Sequence, residues 1–277
     1  MKLDFTKMQG CGNDYVYINC FEQTVADPAA LAVRLSDRHT GIGGDGVILI
    51  CPSDVADAKM RMFNLDGSEG KMCGNGVRCV AEYLFTHGMN KRADCVDIET
   101  LSGIKHIVRE APQLYTVDMG TPILKPSDIP VTGFDENPII DRLVEVNGGG
   151  VRITCVSMGN PHCVVFVDDV NKLNLPMLGN QFEHAKIFPE GVNTEFVQRI
   201  DETHLKMRVW ERGSGETLAC GTGTCACVVA SVLCGYCPMN ADVEVVLLGG
   251  VLTIRYTGET VYMTGNAVTV FDGTVEV

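Results

Sequence analysis

Residues 73–81 read CGNGVRCVA, and residues 220–230 read CGTGTCACVVA. In both, a cysteine and two glycines precede an apolar run. The leading cysteines stand 220 − 73 = 147 positions apart. The same offset joins Lys59-Met60-Arg61 to Lys206-Met207-Arg208, Gly12-Asn13 to Gly159-Asn160, Gly44 to Gly191 and Gly88 to Gly235. DGS at 66–68 meets RGS at 212–214 one residue out of step, within the slack of a turn. One register kept in order over so many positions marks an internal duplication. The expected halves are 1–119 and 120–265, with 266–277 completing the first. Segment 121–150 holds four of the 11 prolines and the run Gly148-Gly149-Gly150, so it reads as the connection with surface loops.

The local patterns agree between halves. VRITCVSM (151–158), HCVVFV (162–167), EFVQRI (195–200) and LKMRVW (205–210) are short β-branched stretches between turns, hence strands. Two helices are expected per half. Asp27-Pro28 offers an N-cap followed by proline at the first helical position, with Gly41 beyond the pattern. Val77, Val80, Ala81, Leu84 and Phe85 follow the helical period, and Gly88 closes it. The repeat mate at 223–234 is apolar nearly all round, as a buried helix is. The expected fold class is α+β: two similar, pseudo-symmetric domains, each a curved antiparallel sheet or barrel wrapped around a central helix.

Composition narrows the function. Of 277 residues, 45% are hydrophobic and 21% charged, as in an ordinary soluble protein. The net charge of −13 argues against nucleic acid held on a basic face. There is no apolar leader at the N-terminus and no run of membrane-spanning length, so a cytoplasmic protein is expected. The 13 cysteines read mostly as free thiols packed as small hydrophobes.

Cys73 and Cys220 stand apart from the rest because both precede a helix. Free N–H groups and the positive end of the dipole there lower a thiol pKa and hold a carboxylate. Glycines 74, 76, 221 and 223 let a ligand approach the backbone. Two such thiols around one tetrahedral carbon suit inversion: one removes a proton, the other returns one to the opposite face. Nothing in the sequence marks a pyridoxal phosphate site, so no cofactor is expected. Two other readings compete. Cys225/Cys227 and Cys234/Cys237 raise a metal site, but positions two apart on a helix do not converge and paired CxxC knuckles are lacking. A redox thiol protein is the other.

The stretches MQGCGNDYV (8–16), RHTGIGGDG (38–46), FNLDGSEGKMCGNGVRC (63–79), MGNPHCV (158–164), GVNTEF (191–196) and WERGSGETLACGTGTCA (210–226) closely resemble the diaminopimelate epimerases. The resemblance spans both halves. It implies the active site in the cleft between two similar domains, interconversion of LL- and meso-diaminopimelate on the route to lysine and peptidoglycan, and a homodimer. It implies Cys73 and Cys220 as the acid/base thiols, and Gly74-Asn75 and Gly221-Thr222 as helix starts holding the reacting carboxylate. Asn13, Asn64, Asn160, Asn193, Glu211 and Arg212 become the remaining substrate contacts, and His162 with Glu211 the groups tuning the thiols. Some members carry glutamine where this chain has Gly46, so that contact passes to backbone or water. The repeat mates of Gly46 and Asn64 are Asn193 and Glu211, so the distal end of the substrate meets unlike residues. A proline racemase or hydroxyproline epimerase is the nearest alternative, but a small secondary amine does not need Asn64, Asn193 and Arg212 together. A phenazine-type isomerase shares the fold without the cysteine pair.

Overall fold

A computed structural model of the chain describes residues 2–135 and 137–277. Met1, the first position of the expected first half, and Glu136, inside the expected connection, lie outside the described residues. The chain forms two compact units, Met1–Asp118 with Thr264–Val277, and Met119–Met263. Unit 1 carries β1 (Lys2–Gly10), β2 (Asn13–Asn19), α1 (Pro28–Ser36), β3 (Gly46–Cys51), β4 (Ala58–Asn64), β5 (Glu69–Gly70), α2 (Gly74–Thr86), β6 (Cys95–Thr100), β7 (Gly103–Ala111) and β8 (Leu114–Gly120), within which the division at Asp118 falls. Unit 2 carries β9 (Arg142–Val146), β10 (Gly149–Ser157), β11 (Pro161–Phe166), α3 (Leu175–Glu183), β12 (Asn193–Arg199), β13 (His204–Glu211), β14 (Gly215–Thr217), α4 (Gly221–Leu233), β15 (Asp242–Val246) and β16 (Val251–Tyr256). Then β17 (Val261–Asn266) holds the second division, and β18 (Val268–Glu276) belongs to unit 1.

The repeat is carried into the strand registers. Val47 pairs with Phe63, and 147 positions on Thr194 pairs with Trp210. Ala58↔Ile98 recurs as Leu205↔Val245, and Cys95↔Val108 as Asp242↔Arg255. A bidentate Arg61–Glu69 pair likewise recurs as Arg208–Glu216. One seam differs. Beside β1 lies β18, the last strand of the chain, whereas beside β10 lies β9, its immediate predecessor.

The sheets are mixed, which corrects the expectation of antiparallel sheets. The β2–β3, β4–β6, β11–β12 and β13–β15 pairs are parallel. Their connections carry α1, α2, α3 and α4 respectively. A helix-length crossover returns the chain in its starting direction, which a tight hairpin cannot do.

These crossovers cover both faces of the central strands, so β2, β3, β11 and β12 are buried along most of their length, whereas outer strands such as β6, β15 and β16 alternate buried with more exposed positions. Val16, Ile18, Val47 and Leu49 join Leu31, Ala32 and Leu35 of α1 in one core. The intervening Tyr17 and Ile48 face α2: the Tyr17 hydroxyl donates to Gly76 O at 3.4 Å. In α2 every residue from Gly74 to Leu84 is buried. It touches β1, β2, β6 and β18, strands from both ends of the pairing series, so the sheet curves around it. α4 touches β10, β11, β12 and β16 in the same way, and α3 covers the outer face through Leu175 and Phe182. Burying Val77, Val80 and Leu84 stabilises α2 by about 1.5–3 kcal/mol each. The Asp27 cap holds, its carboxylate accepting from Ala30 N at 3.0 Å. α1 nevertheless stops at Ser36, well before Gly41, because the Asp37 carboxylate takes the N–H groups of His39 and Thr40 into a turn. Among the described residues no helix is long and apolar enough to cross a membrane.

Candidate active site

The two sequence motifs become two N-caps. Cys73 precedes α2 in extended conformation (φ −125°, ψ 120°), and its Sγ accepts from Gly76 N at 3.3 Å. Cys220 precedes α4 (φ −114°, ψ 110°), and its Sγ accepts from Gly223 N at 3.4 Å. The first intrahelical bonds run from Val77 N to Cys73 O and from Thr224 N to Cys220 O. The amides of Gly74, Asn75, Gly221 and Thr222 therefore lie in the first turn, where no helix bond consumes them. Each thiol caps a 13-residue helix, whose first-turn amides are of the kind that can hold an anion.

In unit 1, the Cys73 thiol donates to Asn13 Oδ1 at 3.1 Å. The orientation of that amide is fixed from behind: Asn13 Nδ2 donates to Asp45 Oδ2 at 2.7 Å, and Arg38 bridges Asp45 and Asp14. Buried Lys7 completes the network with an ion pair to Asp14 at 2.6 Å. Burial alone would raise the Asp14 pKa; hydrogen bonds from Arg38 and Lys7 hold it below the usual carboxylate value. Asn75 is buried, and its Oδ1 accepts from Arg78 Nη2 at 2.8 Å, so its side chain serves the helix start. Asn64, at the end of β4, donates to Ser68 Oγ at 3.0 Å. Gly46 pairs with Asn64 in register, and a Cβ there would collide with the Phe63 carbonyl and the Tyr15 ring. That position offers backbone alone.

In unit 2, Asn160 is the repeat mate of Asn13, but another device holds it. His162 Nε2 lies 3.1 Å from Asn160 Oδ1, and His162 Nδ1 lies 2.7 Å from Glu195 Oε1. Asn193 is also spoken for: its Nδ2 donates to Pro161 O at 2.7 Å and its Oδ1 accepts from Arg212 N at 3.0 Å. It shapes the Arg212 turn. The exposed Arg212 side chain donates to Glu190 O at 2.8 Å and borders a cavity of about 380 Å³ lined by Glu183, Phe188 and Glu190 among others, which Cys220 does not line. Glu211 accepts from Thr217 Oγ1 at 2.5 Å, and the Thr222 hydroxyl lies 3.4 Å from Cys220 Sγ. Burial raises the Glu211 pKa against the Thr217 hydrogen bond and the His162 ring, which lower it.

Cys220 corrects one expectation. A helix start was expected to lower its pKa. Burial instead raises it well above the usual thiol value, and the Glu211 and Glu195 carboxylates add to the rise, outweighing Thr222 and Gly223. The residue is 6% exposed, so loss of water costs more than one amide returns.

The structure thus gathers Cys73, Gly74, Asn75 and Asn13 around one helix start, and Cys220, Gly221, Thr222, Glu211, Asn160 and His162 around the other. Asn193 opens β12 as the register partner of His162 and accepts from Arg212 N, the residue after Glu211. Sequence reasoning missed three supports. Arg78 is fully buried and ties Gly74 O, Asn75 Oδ1 and Asn266 O together. Asp45 orients Asn13, and Glu195 holds His162. For Glu195 a signal existed: its repeat mate is Ile48, so a carboxylate replaces an aliphatic in a strand with both faces covered.

A family model described as diaminopimelate epimerase matches residues 5–125 and 154–270. The chain belongs to the diaminopimelate epimerase family. A diaminopimelate epimerase of Acetivibrio thermocellus is 53% identical over 98% of both chains. One of Desulfovibrio desulfuricans is 54% identical, covering 98% of this chain and 97% of its own. Among solved structures, a phenazine biosynthesis protein of the PhzF family from Bacillus anthracis shares the fold over the full length of both chains (TM-score 0.73, 18% identity). A hydroxyproline epimerase from Agrobacterium vitis matches over 99% of this chain and 92% of its own (TM-score 0.69, 16% identity). At such low identity these two speak for the fold. As a family member the chain is an isomerase of the epimerase type.

Proposed function

We propose that this chain interconverts LL- and meso-diaminopimelate by a two-base mechanism, with Cys73 and Cys220 as the bases. The observation that carries the reading is the pair of repeat-related N-cap thiols, each accepting an amide N–H of its own helix start. A thiolate removes the α-proton from one face of the carbon. The other thiol delivers a proton to the opposite face, and reversal exchanges their roles. The free first-turn amides, Gly74 and Asn75 in one unit and Gly221 and Thr222 in the other, take the carboxylate at the reacting centre and stabilise the charge that develops on it. This supplies without pyridoxal phosphate the stabilisation that the cofactor would give. Asn13 and Asn160 donate and accept without adding charge. At the distal end Arg212 takes the second carboxylate and Glu211 accepts from the ammonium, with Asn64 and Asn193 shaping those contacts. Glu211 and His162 adjust the Cys220 thiol. We place the enzyme in the cytoplasm as a homodimer, on the route to lysine and peptidoglycan.

The test uses fully reduced protein, LL-diaminopimelate and deuterated water with no cofactor added. The α-position is expected to acquire deuterium and the meso isomer to form. Cys73→Ala and Cys220→Ala each abolish epimerisation, since each removes one face. LL-diaminopimelate left unlabelled by reduced protein, or one alanine variant as fast as the wild type, overturns the reading. Trans-4-hydroxy-L-proline, offered in parallel, is expected to remain unchanged.

A further inference from the structure

The two helix starts are alike above and unlike beneath. Under the first turn of α2 lies Ile48: a Cβ added to Gly76 would stand 2.7 Å from its Cδ1. Under the first turn of α4, 147 positions on, lies Glu195: a Cβ added to Gly223 would stand 2.5 Å from its Oε1. Gly76 and Gly223 are the residues whose amides bond the two thiols. The Glu195 side chain is wholly buried, with Oε1 on His162 Nδ1 at 2.7 Å. Its Oε2 has no hydrogen-bond partner among the described residues. A carboxylate placed so is costly and is not required by the repeat, since unit 1 folds with an isoleucine there. Around Cys220 the ionisable groups are Glu211 from β13, Glu195 from β12 and Cys227 within α4, with His162 of β11 behind Glu195. The helix start of Cys73 has an alkyl group in the corresponding place.

From this asymmetry we propose that Glu195 is a positioning residue that keeps the resting proton on Cys220. Its charge lies beneath the amide turn that bonds the sulfur and opposes ionisation of that thiol. It also clamps the His162 ring against Asn160. Unit 2 therefore enters the cycle as the acid side, and the duplicated fold acquires a polarity that its symmetry would not give. The inference rests on Cys220 acting as an acid/base thiol.

The experiment compares the wild type with Glu195→Gln, which removes the charge and keeps the shape, and Glu195→Asp, which keeps the charge. Iodoacetamide labelling against pH, read at the Cys220 peptide by mass spectrometry, reports that thiol whether or not the protein turns over. Below the thiol pKa, labelling of Glu195→Gln at fixed pH is expected to rise about tenfold, one pKa unit, while Glu195→Asp stays near the wild type. The alkaline limb of kcat/KM in the direction that needs protonated Cys220 moves to lower pH in Glu195→Gln alone. A purely structural role would lower the melting temperature of both variants and move neither profile. If Glu195→Gln does not fold, Glu195→Ile carries the same expectation with the residue that unit 1 uses. An unchanged Cys220 profile, or Gln and Asp shifted alike, overturns the proposal. A shifted profile in a protein inactive on diaminopimelate would uphold it and refute the substrate assignment.

Discussion

Gly76 and Gly223 are repeat mates in the first turns of two helices, and alanine at each should have opposite consequences. In a helix, glycine to alanine gains up to about 1 kcal/mol. At Gly76 the new methyl meets Ile48 Cδ1 at 2.7 Å, with Cys73 Cβ next at 3.3 Å. The isoleucine tip can turn aside, so strain and propensity nearly cancel and Gly76→Ala lies within about 1 kcal/mol of the wild type. At Gly223 the methyl meets Glu195 Oε1 at 2.5 Å, Cδ at 3.1 Å and Cγ at 3.2 Å. That carboxylate is pinned by its 2.7 Å contact with His162 and has no exposed side to retreat to. Overpacking costs about 1–3 kcal/mol and a charged hydrogen bond that must lengthen about 1.5–3 kcal/mol, against a gain of about 1. The net loss is about 2–5 kcal/mol, or a melting temperature lower by about 5–15 °C. Calorimetry on both variants measures this. In Gly223→Ala with Glu195→Ala the two losses should not add, because the colliding group is gone. Equal shifts for the two glycine variants, or strict additivity in the double variant, refute the reasoning.

The raised Cys220 pKa has a signed consequence for stability. The fold favours the protonated thiol, so this contribution is complete below the unfolded thiol value of about 8.5 and is lost as pH rises above it. Melting curves from pH 7 to 10 should therefore fall less steeply for Cys220→Ser than for the wild type; parallel curves would contradict it. Asp45→Ala releases the Asn13 amide without opening a core. It is expected to cost about 1 kcal/mol of stability yet lower kcat/KM about tenfold or more, and a loss confined to melting temperature would separate Asn13 from turnover.

The duplicated architecture was legible because the offset of 147 is kept in glycines, which mark turns, and in the cysteine caps. The strand directions were not, since a covered strand such as VILI at 47–50 has no alternation to betray its neighbours. Arg78 and Glu195 escaped for a related reason. A charged residue within an apolar element reads as a solvated position; tertiary packing shows these two to be 0% exposed, and for Glu195 the aliphatic repeat mate Ile48 was the one hint in the sequence. The tuning of Cys220 was misjudged because a cap is a local feature, whereas burial by β12 and β13 is not.

The seam at β18 bears on how the chain is made. Unit 2 is one uninterrupted segment, and β9 finds β10 across a two-residue turn. β1 is synthesised more than 250 residues before β18, yet Lys2 pairs with Glu276. The edge of β1 that takes β18 therefore stays open until residue 276 has been made, and the intervening unit 2 can finish folding before unit 1. Vectorial synthesis is here at odds with the order of assembly. A circularly permuted gene that moves 264–277 ahead of residue 2 would restore to unit 1 the adjacency that unit 2 already has.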